Sequence, residues 1–188
     1  MVSSPTADVS VRLAWADDAP ALARLQLRAW PERFAGVLPP EALPSGPEAD
    51  AAATETWAAS LARPADARQR TLVALERNRP VGLAVTTPAT DPDCDPVRDG
   101  ELVELVVAAD DRGAGHGSRL LQAAVDTLRA DRFARAVHWV DARDDATRAF
   151  LVGTGWEADG AHRELEPAGP GTSLKQVRLH TSLVEATA

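Results

Sequence analysis

The stretch Glu101-Leu-Val-Glu-Leu-Val-Val-Ala-Ala-Asp-Asp-Arg-Gly-Ala-Gly-His-Gly-Ser-Arg-Leu-Leu121 decides the fold, because an apolar strand leads through a glycine turn straight into an amphipathic helix. Between Leu102 and Val107 only Glu104 is polar, which is typical of a strand buried on both faces. After the turn, apolar residues recur at spacings of three and four and form one core-facing stripe, namely Leu120, Leu121, Ala124, Val125 and Leu128. The sequence therefore predicts a strand, a tight turn and a helix as one continuous unit.

The glycine turn predicts an anion-binding site. Gly113, Gly115 and Gly117 lack Cβ atoms, so the backbone can take unusual angles and approach a ligand closely. The unpaired N–H groups and the positive dipole end of the following helix point into this turn, and Arg112 could add a charge. We expect a phosphate or diphosphate to bind here.

Two familiar phosphate loops do not fit this turn. A P-loop needs a Lys followed by Ser or Thr after its last glycine, whereas Ser118 and Arg119 follow Gly117. A G-x-G-x-x-G fingerprint begun at Gly113 or Gly115 needs glycine at 118 or 120, where Ser118 and Leu120 stand.

Two sequence motifs resemble those of the GCN5-related N-acetyltransferase (GNAT) superfamily. Arg112, Gly115 and Gly117 match the R-x-x-G-x-G motif for acyl-CoA, with the L-x-V strand end at Leu105 and Val107 before it. Downstream, Asp144-Asp-Ala-Thr-Arg-Ala-Phe-Leu-Val-Gly-Thr-Gly-Trp156 is similar to the second signature, N-x-x-A-x-x-F-Y-x-x-x-G-F. The resemblance extends over residues 8 to 184 and is sharpest from 101 to 156.

The resemblance implies an α/β (α+β) fold with a mixed, mostly antiparallel sheet of about seven strands, about four flanking helices and splayed central strands. A chain of 188 residues with 45% apolar content suits one domain, residues 1–188, with flexible ends at 1–7 and 185–188. Prolines at Pro31 and beyond predict that residues 31–49 are irregular or contain one short helix. Residues 48–61 are predicted to be helical, and residues 161–165 to form a late strand.

The resemblance also implies acetyl-CoA as co-substrate and assigns its contacts. The backbone of Val106 and Val107 would pair with the pantetheine arm. The diphosphate would bind the amides of Arg112, Gly113, Ala114, Gly115, His116, Gly117 and Ser118. Asp144 stands where the family has an Asn that contacts the cofactor, although an ionised Asp accepts hydrogen bonds only; Phe150 is the second residue assigned from that signature. The side chain of His116, in the middle of a G-x-G turn, is expected to point outward.

Two carboxylates are candidates for the general base that takes a proton from the amine. Glu101 lies roughly 20 Å before Val107 along an extended strand and Glu104 roughly 10 Å, so an outstretched pantetheine arm could bring its sulfur near either. By resemblance Glu101 is the first candidate and Glu104 the second. The family's acid, a Tyr after the Phe of the second signature, is replaced by Leu151, and the chain has no Tyr.

The charge and composition of the chain limit the classes of partner that it can bind. A net charge of −8 argues against nucleic-acid binding, which relies on clustered cations, and mildly favours a cationic acceptor. We expect a cytoplasmic protein that neither spans nor binds a membrane, because no basic leader and no long apolar run is present. No metal is predicted: Cys94 is the single cysteine, and the D-x-D-x-D run from Asp91 has Pro96 where a calcium loop needs glycine.

The sequence thus predicts an acetyltransferase acting on a primary amine of a small molecule or peptide by direct attack in a ternary complex. Trp30 and Phe34 are expected to line the acceptor site. A non-catalytic acyl-CoA-binding or regulatory protein is the alternative. Because related proteins are often dimers, the resemblance also implies a homodimer.

Overall fold

The structure is a computed structural model that describes residues 9–169 and 171–184. The ends expected to be flexible, 1–7 and 185–188, lie outside the described residues. The strands are β1 (Val9–Leu13), β2 (Arg70–Glu76), β3 (Arg79–Pro88), β4 (Asp99–Val107), β5 (Arg135–Asp141), β6 (Glu157–Leu165) and β7 (Leu174–Ser182). The α-helices are α1 (Ala19–Arg33), α2 (Gly46–Ala62), α3 (His116–Ala130) and α4 (Asp145–Val152).

The strands form one sheet in the order β1-β2-β3-β4-β5-β7-β6, in which the β4–β5 pair alone is parallel among the described strands. Helices α1 and α2 cover one face over a core that includes Leu22, Trp57 and Leu83. Helices α3 and α4 cover the other face over a larger core that includes Leu120 and Leu151. The predicted mixed, mostly antiparallel sheet with four helices is confirmed.

Helix α1 runs beyond the proline that was expected to end it. Pro31 lies in its last turn, and the helix continues to Arg33, where the N–H of Phe34 donates to the carbonyl of Trp30 at 2.8 Å. A proline lacks its own N–H donor and crowds the carbonyl four residues earlier, but here the helical hydrogen bond from Phe34 to Trp30 still forms beyond it. The consequence is that Glu32 and Arg33 belong to the helix, where Glu32 reaches Arg112 in the turn before α3 and Arg33 reaches Glu104 in β4.

Two other predicted boundaries were also wrong. Helix α2 begins at Gly46 with Pro47 in its first turn, a position that tolerates proline because the first amides of a helix have no partner. Strand β6 begins at Glu157, and its pairing with β7 is interrupted between Ala158 and His162, where Gly160 has a φ of 83°.

The two central strands separate after a short paired segment. β4 and β5 pair from Asp99↔Arg135 to Glu101↔Val137 and no further. β4 stays paired with β3 up to Val107, and β5 stays paired with β7 up to Asp141. The edge of β4 from Leu102 onward is therefore open toward β5, as the expected splay requires.

A bulge in β4 decides where the two glutamates point. The register with β3 passes from Leu102 to Glu104, so Val103 is an extra residue. The partners of Glu101 and Glu104 are two residues apart on β3, and the partner of Glu104, Val85, packs under α1 and α2. Both carboxylates thus lie on the α1 face, whereas Leu102 packs in the opposite core.

None of the described helices is long and apolar enough to cross a membrane.

Candidate active site

The open edge of β4 presents backbone groups of alternate residues. The N–H of Ala108 donates to the carbonyl of Val81 in β3 at 2.9 Å, so Val106, two residues earlier, also faces β3. Leu105 and Val107 then direct their N–H and C=O groups into the gap. The prediction that Val106 offers its backbone to a ligand is therefore wrong on geometry, and Leu105 is the residue that faces the gap beside Val107.

The turn before α3 has unpaired amides. Gly113 and Gly115 have φ values of 77° and 82°, and Gly115 is the N-cap of α3. Among residues 9–169 and 171–184, no hydrogen bond is donated by the backbone amides of residues 113–118. Six consecutive donors at the positive end of a 15-residue helix form a site suited to an anion.

The guanidinium of Arg112 is already paired. It donates to both carboxylate oxygens of Glu32 at 2.8 and 2.7 Å, and its Nε donates to the carbonyl of Val107 at 3.3 Å. The hydrogen bond from Arg112 lowers the pKa of Glu32. Arg112 thus joins the last turn of α1 to the turn before α3 and is not the free charge that the sequence predicted.

Arg119 is a cation at this turn that the motif did not predict. Its Nη1 donates to the carbonyl of Ala114 at 3.1 Å, and a Cβ on Gly115 would lie 2.9 Å from the same nitrogen. The guanidinium therefore lies across the turn, one helical turn beyond the glycines. The sequence does contain a hint of this role. Arg119 stands in the first turn of the helix, where the helix dipole does not favour a basic residue.

The side chain of His116 is buried, contrary to the prediction. It is 1% exposed, and neither ring nitrogen has a partner among the described residues. The ring points inward because His116 is the first residue of α3, where the helix lies against β3. Only its backbone amide is placed to contact an anion.

The second signature lies beside the same turn. A Cβ on Gly117 would lie 3.8 Å from both Phe150 in α4 and Val107 in β4, so these two side chains flank the start of α3. Asp144 is the N-cap of α4, and its Oδ1 accepts the Thr147 N–H at 2.9 Å. Asp144 is exposed and acts as a helix cap, whereas Phe150 contacts the candidate cofactor site.

Glu104 is a buried and paired carboxylate. Its Oε1 accepts a hydrogen bond from Nη1 of Arg33 at 2.8 Å, with the two side chains 12% and 37% exposed. Burial raises the pKa of Glu104, while the charge of Arg33 and hydrogen bonds from Gln26 and Arg33 act in the opposite direction. A carboxylate held by a cation is a weaker proton acceptor than a free one.

Glu101 is also buried but forms no salt bridge within the described residues. It is 8% exposed and is the last residue of β4 that pairs with β5. Burial is the main cause that raises its pKa, and the charge of Asp91 raises it further, while Arg163 and Arg178 partly offset the effect. The net effect is a carboxylate whose pKa lies above the ordinary value for Glu, which makes it a better proton acceptor.

The predicted acceptor residues lie at the end of α1. The rings of Trp30 and Phe34 are 6.1 Å apart in an edge-to-face arrangement, and both are half-buried. Arg33, between them in the chain, reaches Glu104. A separate cavity of about 690 Å³ between α1 and the α1–α2 connection is lined by neither aromatic residue and by neither glutamate.

The acidic loop between β3 and β4 is paired with an arginine side chain. Ligand atoms of Asp91, Asp93 and Cys94 lie within 4.8 Å of one another, a spacing that could hold an ion. However, the guanidinium of Arg178 donates to Asp93 at 2.7 Å and to Asp159 at 2.8 Å, and lies 3.4 Å from Asp91. Arg178 thus already supplies a positive charge to this cluster.

Sequence reasoning missed five residues of the site: Glu32, Arg33, Leu105, Arg119 and His138. Glu32 and Arg33 followed a proline that was expected to end the helix, so their contacts with Arg112 and Glu104 were not anticipated. His138 contacts the carbonyl of Leu102 through its Nδ1. Its place where β4 and β5 separate depends on strand register, which the sequence pattern did not specify.

Comparison with known proteins identifies the family. The sequence matches the family model described as Acetyltransferase (GNAT) family over residues 21–155. No curated protein matches the sequence.

Solved structures share the fold over nearly their whole length. One is yncA from Salmonella typhimurium with its cofactor acetyl-CoA, with a TM-score of 0.70, 16% identity, and coverage of 96% of this chain and 97% of that chain. Another is the PaiA N-acetyltransferase from Thermoplasma acidophilum in complex with coenzyme A, with a TM-score of 0.67, 13% identity, and coverage of 93% and 99%. The ribosomal-protein-alanine N-acetyltransferase from Brucella melitensis has a TM-score of 0.70, 22% identity, and coverage of 92% and 99%.

These identities support a common fold, and the family match spans more than half of the chain. The open strand edge and the unpaired amides before α3 agree with that match. The chain therefore belongs to the GNAT acetyltransferase family.

Proposed function

We propose that this protein transfers an acetyl group from acetyl-CoA to a primary amine by direct attack in a ternary complex. The observation that carries the proposal is the juxtaposition of the open edge of β4 with six amides, residues 113–118, that donate no hydrogen bond within the described part of the chain. A diphosphate and a chain of amide groups are the ligand features that these two surfaces match. Acetyl-CoA contains both.

The turn before α3 and strand β4 would bind different parts of the co-substrate. The amides of residues 113–118 would bind the diphosphate, with Arg119 and, once released from Glu32, Arg112 adding positive charge. Leu105 and Val107 would pair with the pantetheine arm, and Phe150 would pack beside it. This arrangement directs the thioester toward Glu101 and Glu104.

Glu101 is the proposed general base. Its carboxylate is free of a salt bridge among the described residues, and its raised pKa brings proton transfer from an ammonium group closer to balance. Glu104, held by Arg33, would shape the site electrostatically. Trp30 and Phe34 would contact the acceptor, which is a small molecule or a peptide with an accessible amine.

No side-chain acid is needed to release the thiolate. Leu151, where the family commonly has Tyr, is fully buried in the core under α3. A cysteine thiol has a pKa of about 8.5 and a simple alkyl thiol is less acidic still, so a released thiolate is protonated by water near neutral pH. The same observation favours the second candidate, an acyl-CoA-binding protein without catalysis.

One experiment separates these candidates. CoA binding is measured by calorimetry, and thiol release from acetyl-CoA is followed with a panel of peptides, polyamines, aminoglycosides and amino acids. Binding together with amine-dependent thiol release is the expected result. Binding without release on any acceptor would support the non-catalytic candidate, and absence of CoA binding would contradict both.

A further inference from the structure

His138 occupies the point at which the two central strands part. The last β4–β5 pair is Glu101↔Val137, so Leu102 and His138 are the next residues on the two strands. His138 is 7% exposed, and its ring packs edge-to-face on Trp156 with the centroids 6.4 Å apart. A polar side chain therefore lies in the apex of the gap.

The ring replaces a hydrogen bond of the parallel ladder. The carbonyl of Arg98 accepts from the N–H groups of Ala134 and Arg135 in the chain entering β5, at 2.7 and 3.2 Å. Residues of β4 two and four positions later face β5 in the same way, so the carbonyl of Leu102 also points there. It contacts Nδ1 of His138 instead of a backbone N–H of β5.

This contact fixes the protonation of the ring. A carbonyl only accepts, so Nδ1 must carry the hydrogen. Burial lowers the pKa of His138 to about 4, an effect partly offset by the hydrogen bond to Leu102 and increased by the charges of Arg33 and Arg163. At neutral pH the ring is neutral, and Nε2 has no proton to give to a leaving thiolate.

We propose that His138 is a positioning residue of the acyl-CoA site: its Nδ1–H binds the Leu102 carbonyl and so fixes where β4 leaves β5. Without this donor, the carbonyl would be buried at the apex without a partner or would pair again with β5. Renewed pairing would close the edge at Leu105 and Val107. This inference rests on the proposed function, because it concerns the same cleft.

The variants His138→Asn, His138→Gln and His138→Leu test the role of this donor. An Asn side chain can place its amide N–H near the position of Nδ1, whereas Gln places its amide near Nε2 and Leu donates nothing. We expect His138→Leu and His138→Gln to weaken CoA binding about tenfold, which corresponds to about 1.4 kcal/mol. His138→Asn should stay within about threefold of the wild type. His162→Leu, on the exposed edge strand β6, is the matched control.

Calorimetric CoA affinity, the KM for acetyl-CoA, kcat and the melting temperature are measured for each variant. The expected pattern is a higher KM for acetyl-CoA with a nearly unchanged kcat, and rescue by Asn. Loss of kcat at unchanged KM, equal damage by Asn and Leu, or a lower melting temperature with unchanged CoA affinity would each overturn the proposal.

The protonation state gives a readout that does not depend on turnover. ¹⁵N NMR of the labelled wild-type protein should show His138 as the neutral Nδ1–H tautomer at pH 7. An Nε2–H tautomer or an imidazolium would overturn the proposal. If the wild type has this tautomer but binds no CoA, the proposed function fails while the contact with Leu102 stands.

Discussion

Glu101 and Glu104 carry the same functional group on the same face of β4, but their surroundings differ. Glu104 pairs with Arg33 at 2.8 Å, whereas Glu101 has no salt bridge within the described residues and senses the charge of Asp91. The free carboxylate is the better proton acceptor, because accepting a proton does not break an ion pair.

Glu101→Gln should lower kcat by roughly 100-fold, within the usual contribution of a general base, and leave CoA affinity unchanged. Glu104→Gln should lower kcat by less than about tenfold. Steady-state kinetics and calorimetry measure both, with the exposed Glu157→Gln as control. Equal losses, or a larger loss for Glu104→Gln, would reject Glu101 as the base.

The pH profile is expected to follow the carboxylate form of Glu101. A base must be deprotonated, so kcat/KM should fall as pH decreases through a pKa above the ordinary 4.5, because burial raises the pKa of this group. The profile of Glu101→Gln should lack this limb. If kcat/KM of that variant falls at low pH as in the wild type, the titrating group is not Glu101.

At the scale of elements, the glycine turn at the start of α3 can be compared with a second glycine of similar backbone conformation. Gly115 and Gly155 have similar φ values of 82° and 88°, but only Gly115 lies at the N-terminus of α3. A side chain at either position carries a left-handed backbone penalty of about 1–2 kcal/mol.

Gly115→Glu should therefore abolish CoA binding through bulk and charge repulsion, whereas Gly155→Glu should cost similar stability and keep the affinity. Thermal unfolding and calorimetry on both variants separate strain from ligand contact. Unchanged affinity in Gly115→Glu would remove the anion site from the turn.

Glu32 is expected to compete with the diphosphate for Arg112. An exposed ion pair contributes about 0–1 kcal/mol, so Glu32→Gln should strengthen CoA binding by up to about fivefold and increase its dependence on salt. Arg112→Gln should weaken binding. The affinity is measured at two salt concentrations. Weaker binding in Glu32→Gln would show that the pair organises the turn rather than competing with the ligand.

At the scale of the whole molecule, Arg178 joins three parts of the fold. It lies in β7, is 4% exposed, and binds Asp93 in the β3–β4 loop and Asp159 in β6. The hydrogen bond from Arg178 lowers the pKa of Asp93 to about 2. The loop that precedes β4 is therefore fixed to the far half of the sheet.

Arg178→Met should destabilise the fold by roughly 1.5–3 kcal/mol, because Asp93 and Asp159 lose charge-assisted hydrogen bonds from a buried guanidinium. A chelator should leave the melting temperature of the wild type unchanged, because the arginine already supplies the positive charge. Thermal unfolding with and without EDTA measures both. A lower melting temperature with EDTA would show that an ion binds at Asp91, Asp93 and Cys94.

Local patterns were sufficient for most of the fold. The apolar run before the glycines predicted β4, the spacing of Leu120, Leu121 and Ala124 predicted α3, and the two motifs indicated the family. The wrong predictions concern elements in which tertiary contacts override a local preference. At Pro31, α1 continues because residues of its last turn bind Arg112 and Glu104.

The sequence by itself determined the strand, the glycine turn and the helix, because backbone freedom at glycine and apolar periodicity act over a few residues. Only the tertiary structure decided that Glu101 and Glu104 share a face, that Arg112 is paired and that His138 lies between the strands. The pairing of Arg112 depends on the length of α1, which brings Glu32 to it. The positions of the glutamates and of His138 depend on strand register: one bulged residue, Val103, reverses the direction of every later side chain in β4, and periodicity does not encode such a shift.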